Sequence, residues 1–223
     1  MGINHILQEI FDWSEVWALL FPLAMLLKYR NQPRYLQPII IYLFLAFVIN
    51  LLIDVKWKFE DDMPSWFKDN NFLYNVHSVV RFVFFVPFFN RLDQPFLKRI
   101  KKAIPYLSIL FLIVNFSFES FFQKNKFSST LLATEAGLLL FYCLQYYLYR
   151  LQEEKLVQGQ TPDFWVVFGL SIYVVINFFI FLFWGSLVDR KMYDVANTLW
   201  NIHNAAFIFF CLFIARAFQG SDK

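Results

Sequence analysis

The chain has 223 residues, is 59% hydrophobic and 22% aromatic, and carries a formal net charge of +3 with a mean hydropathy of +0.47. Its apolar runs are each long enough to cross ~30 Å of hydrocarbon, which makes it an integral membrane protein. The stretches between those runs are short, so the bundle and its loops must carry the function, and no attached catalytic or DNA-binding domain is expected.

Residues 1–12 carry Glu9 and Asp12 where a signal peptide would be basic, and no small-residue cleavage site follows the first apolar run, so the first helix is expected to be retained. Seven transmembrane helices are predicted, at 13–28, 35–54, 71–91, 100–121, 128–150, 163–187 and 193–217. These runs are continuous, unlike the short alternating segments of a membrane barrel, and the class is all-α. Cys143 and Cys211 fall inside apolar runs, where a cysteine acts as a small hydrophobe.

Loop charges predict the orientation, counting lysine and arginine alone. One side holds Lys28, Arg30, Arg34, Arg91, Lys98, Arg99, Lys101, Lys102, Arg150, Lys155, Arg216 and Lys223; the other holds Lys56, Lys58, Lys68, Lys124, Lys126, Arg190 and Lys191. The richer side is expected in the cytoplasm, with the N-terminus outside and the C-terminus inside. Because these charges sort by side of the bilayer and form no patch with interleaved aromatics, no nucleic-acid partner is expected.

The last span contains Leu199-Trp200-Asn201-Ile202-His203-Asn204, and the third contains Leu73-Tyr74-Asn75-Val76-His77-Ser78. Both read Leu, aromatic, Asn, β-branched, His, small polar, and they use two of only three histidines in the chain. Ser14-Glu15 in the first span likewise matches Thr134-Glu135 in the fifth, and Val48-Ile49-Asn50 in the second matches Val175-Ile176-Asn177 in the sixth. Spans one to three thus echo spans five to seven, with 100–121 as connector, a parallel 3+1+3 repeat within a single domain (repeats at 13–91 and 128–217).

Helical spacing gathers the polar residues on seams in the outer half of the bundle. In span three the seam is Tyr74, His77, Ser78 and Arg81; in span seven it is Asn197, Trp200, Asn201 and Asn204, with His203 on its flank. A charge at such depth costs on the order of 3 kcal/mol, so Arg81 is expected to pair with Glu135 or Glu15. The remaining acid can be met by protonation, by a cationic ligand, or by a divalent metal on His77, His203, Glu15 and Glu135. There is no HExxH or Cys-x-x-Cys, a bis-histidine haem site would be unusually polar, Ser78 and His77 diverge by ~100° on a helix, and span seven offers no lysine for retinal.

The 3+1+3 plan, the outside N-terminus and the Asn residues beside aromatics in spans three and seven resemble the SWEET family of transporters, and more distantly the seven-helix opsin-like superfamily. That resemblance implies that Asn75, Asn201 and Asn197 face the substrate. The Pro-Gln signature of that family's repeats is absent here: Pro22 stands alone in span one and span five has no proline. The expected function is binding or transport of a small polar or cationic ligand or ion. The alternatives are a membrane sensor or regulatory subunit, either a homo-oligomer or one whose basic inner loop at 98–102 meets a cytoplasmic protein, and a metal-dependent membrane enzyme.

Overall fold

The computed structural model describes residues 3–59, 71–92, 100, 103–106, 127–152 and 161–220, and all regular structure among them is helical. Helix α1 (Ile3–Asp12) is followed after one residue by α2 (Ser14–Lys28). A 3-10 turn at Arg34–Leu36 leads into α3 (Gln37–Lys58), and then come α4 (Asn71–Arg91), α5 (Ser129–Gln152), α6 (Pro162–Asp189) and α7 (Tyr193–Gln219). Five of these, α3 through α7, are long and apolar enough to cross a membrane, which makes the chain a multi-pass membrane protein.

The segment expected as the first span forms helix α2, but its 15 residues reach only about 22 Å at 1.5 Å per residue, and it is not among the five helices long and apolar enough to cross a membrane. Of the expected connector 100–121, residues 100 and 103–106 are described and helical; its remainder, and Lys98, Arg99, Lys101 and Lys102, lie outside the described residues. Two local features differ from the sequence expectation. Residues 3–12 form a helix of their own, because Ile3, Ile6, Leu7, Ile10 and Phe11 recur at the i, i+3, i+4 spacing of one apolar face. Helix α3 also runs four residues past Asp54, to Lys58, which brings Trp57 to the end of the bundle where α4 begins.

Proline and glycine act here through position. Pro38 and Pro162 sit in the first turn of α3 and α6, where a missing N–H removes no helical hydrogen bond. Gly169 permits close approach of α6 and α7, since a Cβ there would lie 2.7 Å from Phe213 Cβ and 3.3 Å from the Phe210 carbonyl oxygen. At the far end of α6 the chain reverses on Lys191, whose φ of 56° is left-handed, and the N–H groups of Lys191 and Met192 close on the carbonyls of Val188 and Leu187 at 3.0 Å.

Helices α2 to α7 pack in a closed ring: each lies against the next, and α7 returns to α2. The middle of the ring is filled with rings of another kind. Tyr42, Phe85, Phe88, Phe89, Tyr142, Tyr173, Phe207 and Phe210 are all buried to within 1% of full burial. Phe89 stacks on Tyr142 at 5.2 Å and Tyr173 on Phe210 at 5.2 Å. At the end remote from α1, Arg150 donates to the Tyr146 hydroxyl (2.6 Å) and to Thr161 Oγ1 (2.8 Å), and Tyr146 donates to Asp163 Oδ2 (2.6 Å), tying α5 to the start of α6.

Candidate functional site

Arg81 on α4 is 3% exposed and faces Glu135 on α5, 4% exposed. Arg81 Nε donates to Glu135 Oε1 at 2.8 Å and Nη2 donates to Oε2 at 2.6 Å, a two-point match of guanidinium to carboxylate. Its Nη1 donates to the Tyr173 hydroxyl at 2.6 Å, and Ser78 Oγ donates to Glu135 Oε2 at 3.3 Å. The expected intramembrane ion pair therefore joins Arg81 to Glu135, because α5 packs directly on α4, whereas Glu15 lies on α2 across the ring.

Glu15 is instead paired with His203. The imidazole bridges two helices: Nε2 lies 2.8 Å from Glu15 Oε1, and Nδ1 is hydrogen-bonded to Asn177 Oδ1 on α6. Asn177 is held in turn by donating Nδ2 to the Tyr173 carbonyl at 2.8 Å, and Asn50 donates Nδ2 to the Glu15 carbonyl at 3.1 Å. His77, the other histidine of the duplicated motif, meets the Tyr42 hydroxyl at 3.3 Å and stacks on its ring. Asn75, fully buried, accepts the Ser128 backbone N–H at 3.1 Å, where the chain enters α5. Its role in this arrangement is to fix that entry.

Above His203 lies a cavity of about 520 Å³. Three carboxylates line it, Asp12, Glu15 and Asp54, together with the aromatic side chains of Trp57, Tyr74 and Trp200 and the amides of Gln8, Asn197, Asn201 and Asn204. Among the described residues, no Lys, Arg or His lines it. Trp200 and Tyr74 make the floor: their ring centroids are 5.3 Å apart, and Trp200 is 5.0 Å from the His203 ring. Helix α1 closes one wall. Its Ile10 carbonyl accepts from Trp17 Nε1 (2.7 Å), its Phe11 carbonyl from Asn204 Nδ2 (3.5 Å), and Glu9 pairs with Lys58 of α3 at 2.8 Å.

No protein-family model matches this chain, and no curated protein or solved structure matches it. The site must be read from its own geometry.

Of the residues singled out in the sequence, Glu15, Tyr74, Asn197, Trp200 and Asn201 line the cavity. His203 lies beneath its floor, while His77, Arg81 and Glu135 sit deeper in the ring and Asn75 at the α5 entry. The four expected metal ligands are not brought together: among the described residues, no group of three or more His, Cys, Asp or Glu is placed to hold a metal ion. The physical reason is visible at Glu135, both of whose oxygens are taken by the Arg81 guanidinium, a fixed positive charge that repels a second cation. Sequence reasoning missed Gln8, Asp12 and Trp57 as lining residues, while Asp54, a polar residue of the outer half, and Asn204, on the seam of span seven, also line it. Asn204 belongs to the same seam as Asn197 and Asn201, and the apolar face of α1 was legible in the spacing; Trp57 had no such signal, since the end of α3 was placed four residues too early.

Proposed function

We propose that this protein binds a small polar or cationic ligand in the cavity between α1, α2, α3, α4 and α7, as a carrier or receptor of seven spans with its N-terminus outside. The observation that supports this reading is a single one: a cavity of about 520 Å³ that combines three carboxylates with three aromatic walls and amides, at one end of the bundle. Polar side chains are expensive in a bilayer, and a concentration of them around open volume is the arrangement a ligand would need. In this reading the duplicated halves are related about an axis along the membrane normal, which the ring order supports. Glu15 reaches across to the last helix of the second half at His203, and Glu135 reaches across to the last helix of the first half at Ser78 and Arg81.

The test is thermal stability of the purified full-length chain in lipid nanodiscs against a panel of small amines, sugars, amino acids and divalent metals. At least one class should raise the melting temperature of the wild type, and Trp200→Ala and Asn201→Ala should abolish the rise. Failure of every class to do so sinks the reading. A second reading, a sensor whose basic loop at 98–102 contacts a cytoplasmic partner, is favoured by the aromatic packing of Tyr42, Phe85 and Phe210 in the middle of the bundle. Proteoliposome flux of the stabilising ligand separates the two: a carrier moves it, a sensor does not.

A further inference from the structure

The cavity brings together carboxylates from three elements, Asp12 of α1, Glu15 of α2 and Asp54 of α3. Their negative charge is only partly met from within the bundle. Glu15 is paired with His203, and Asp12 Oδ1 accepts from the neutral Gln8 amide at 2.8 Å. Asp54 is 6% exposed, and no ion pair among the described residues reaches it. The charges that bear on it, Glu15 and Asp12, have its own sign. Neither lysine that follows on α3 lines the cavity: Lys56 is set ~200° around the helix from Asp54, and Lys58 pairs with Glu9 at 2.8 Å. Like charges gathered in one volume favour the entry of a positive one.

Aromatic rings supply much of the remaining wall. Trp57 follows Asp54 at the i, i+3 spacing, on the same side of α3, and is 52% exposed. Tyr74 of α4 and Trp200 of α7 line the same volume, their rings perpendicular and 5.3 Å apart. Aromatic faces attract cations, tryptophan most strongly. Carboxylates alone would also suit a metal ion, but no cluster of metal ligands is present among the described residues, and about 520 Å³ is the volume of a molecule. The amides of the lining both donate and accept, so hydrogen bonding selects no sign of charge. The carboxylates and the ring faces do.

Resting on the reading of this cavity as a ligand site, we infer that its ligand is an organic cation, recognised by its charge beside Asp54 and by its carbon surface against Trp57 and Trp200. No particular hydrogen-bonding group is required of it: a methylated ammonium and a primary amine meet both conditions. A neutral molecule of the same shape meets only the second and leaves three carboxylates sharing one volume. A bare inorganic ion meets only the first.

The experiment measures binding to the full chain in nanodiscs, by calorimetry and by tryptophan fluorescence, with empty nanodiscs as the blank. The probes are two cations and their uncharged counterparts: choline with dimethylbutanol, in which carbon replaces the nitrogen, and butylamine with butanol. At least one cation should bind, about tenfold or more tightly than its counterpart. Asp54→Asn should weaken that cation about tenfold or more. Because a change at a buried residue can disturb folding, two exposed lining residues provide further variants. Asn197→Lys places a like charge in the cavity, and Trp57→Leu keeps apolar bulk but removes the ring; each should weaken the cation about threefold or more and spare the neutral counterpart. A counterpart that binds as tightly as its cation, or Asn197→Lys leaving the cation unaffected, overturns the role of charge while the ligand cavity stands. Trp57→Leu leaving the cation unaffected overturns the aromatic contact. Binding of a sugar, an amino acid or a divalent metal when neither cation binds overturns the organic cation and keeps the cavity. If no compound of any class binds, both readings fall together.

Discussion

Replacing Arg81 by leucine tests the electrostatic account of the bundle most directly. Arg81 makes three short hydrogen bonds, at 2.8, 2.6 and 2.6 Å, two to Glu135 and one to the Tyr173 hydroxyl. Without it, Glu135 keeps only the Ser78 hydroxyl at 3.3 Å and remains a carboxylate in an apolar interior. Removing one partner of a buried pair costs about 3–5 kcal/mol, since the surviving charge is left uncompensated. Glu135→Leu should lose a similar amount by stranding the guanidinium. The double variant removes both charges and leaves chiefly the Tyr173 hydroxyl short of a partner, a loss of about 1 kcal/mol. The two single losses should therefore exceed the double loss by at least ~3 kcal/mol. Reversible unfolding of the purified protein in mixed micelles, followed by tryptophan fluorescence, gives the four free energies of the cycle. Losses that add to within about 0.5 kcal/mol would show the pair to be energetically uncoupled and refute the reasoning.

Gly169→Leu should destabilise by about 1–3 kcal/mol or prevent folding, because its Cβ would lie 2.7 Å from Phe213 Cβ, an atom that cannot move without its helix; Gly137→Ala, which meets only the Phe178 ring edge at 3.2 Å, should be milder in the same unfolding assay. His203→Gln keeps one hydrogen bond but cannot span Glu15 and Asn177 together, so a loss of about 1–3 kcal/mol is expected, and unchanged stability would show that the bridge between α2, α6 and α7 carries no weight. The pair of Glu9 with Lys58 is exposed at 43% and 44%, so Glu9→Ala should change stability by less than about 1 kcal/mol and its effect should shrink further with added salt. A cysteine placed at residue 100, between the basic residues of that loop, should resist impermeant labelling of intact cells, as the charge rule requires; efficient labelling would invert the orientation.

The residue order alone determines that this chain lives in a bilayer, since hydropathy sums over a run and does not depend on which helix lies beside which. It also determines where each polar seam lies on its own helix, because the period of 3.6 relates only residues on one element. Arg81 was bound to find a carboxylate, and Asn197, Trp200 and Asn201 were bound to share a face. Which carboxylate Arg81 takes was decided by packing: α5 neighbours α4 in the ring and α2 does not, so Glu135 is spent on an ion pair and Glu15 is released to His203 and the cavity. The equivalence of the two histidines in the motif likewise dissolves in three dimensions, His203 bridging Glu15 and Asn177 while His77 rests on Tyr42. The cavity itself belongs wholly to the tertiary structure, for it exists only where α1 folds across the bundle end and the last turn of α3 carries Trp57 beside α7, contacts between residues far apart in the chain that no local spacing encodes.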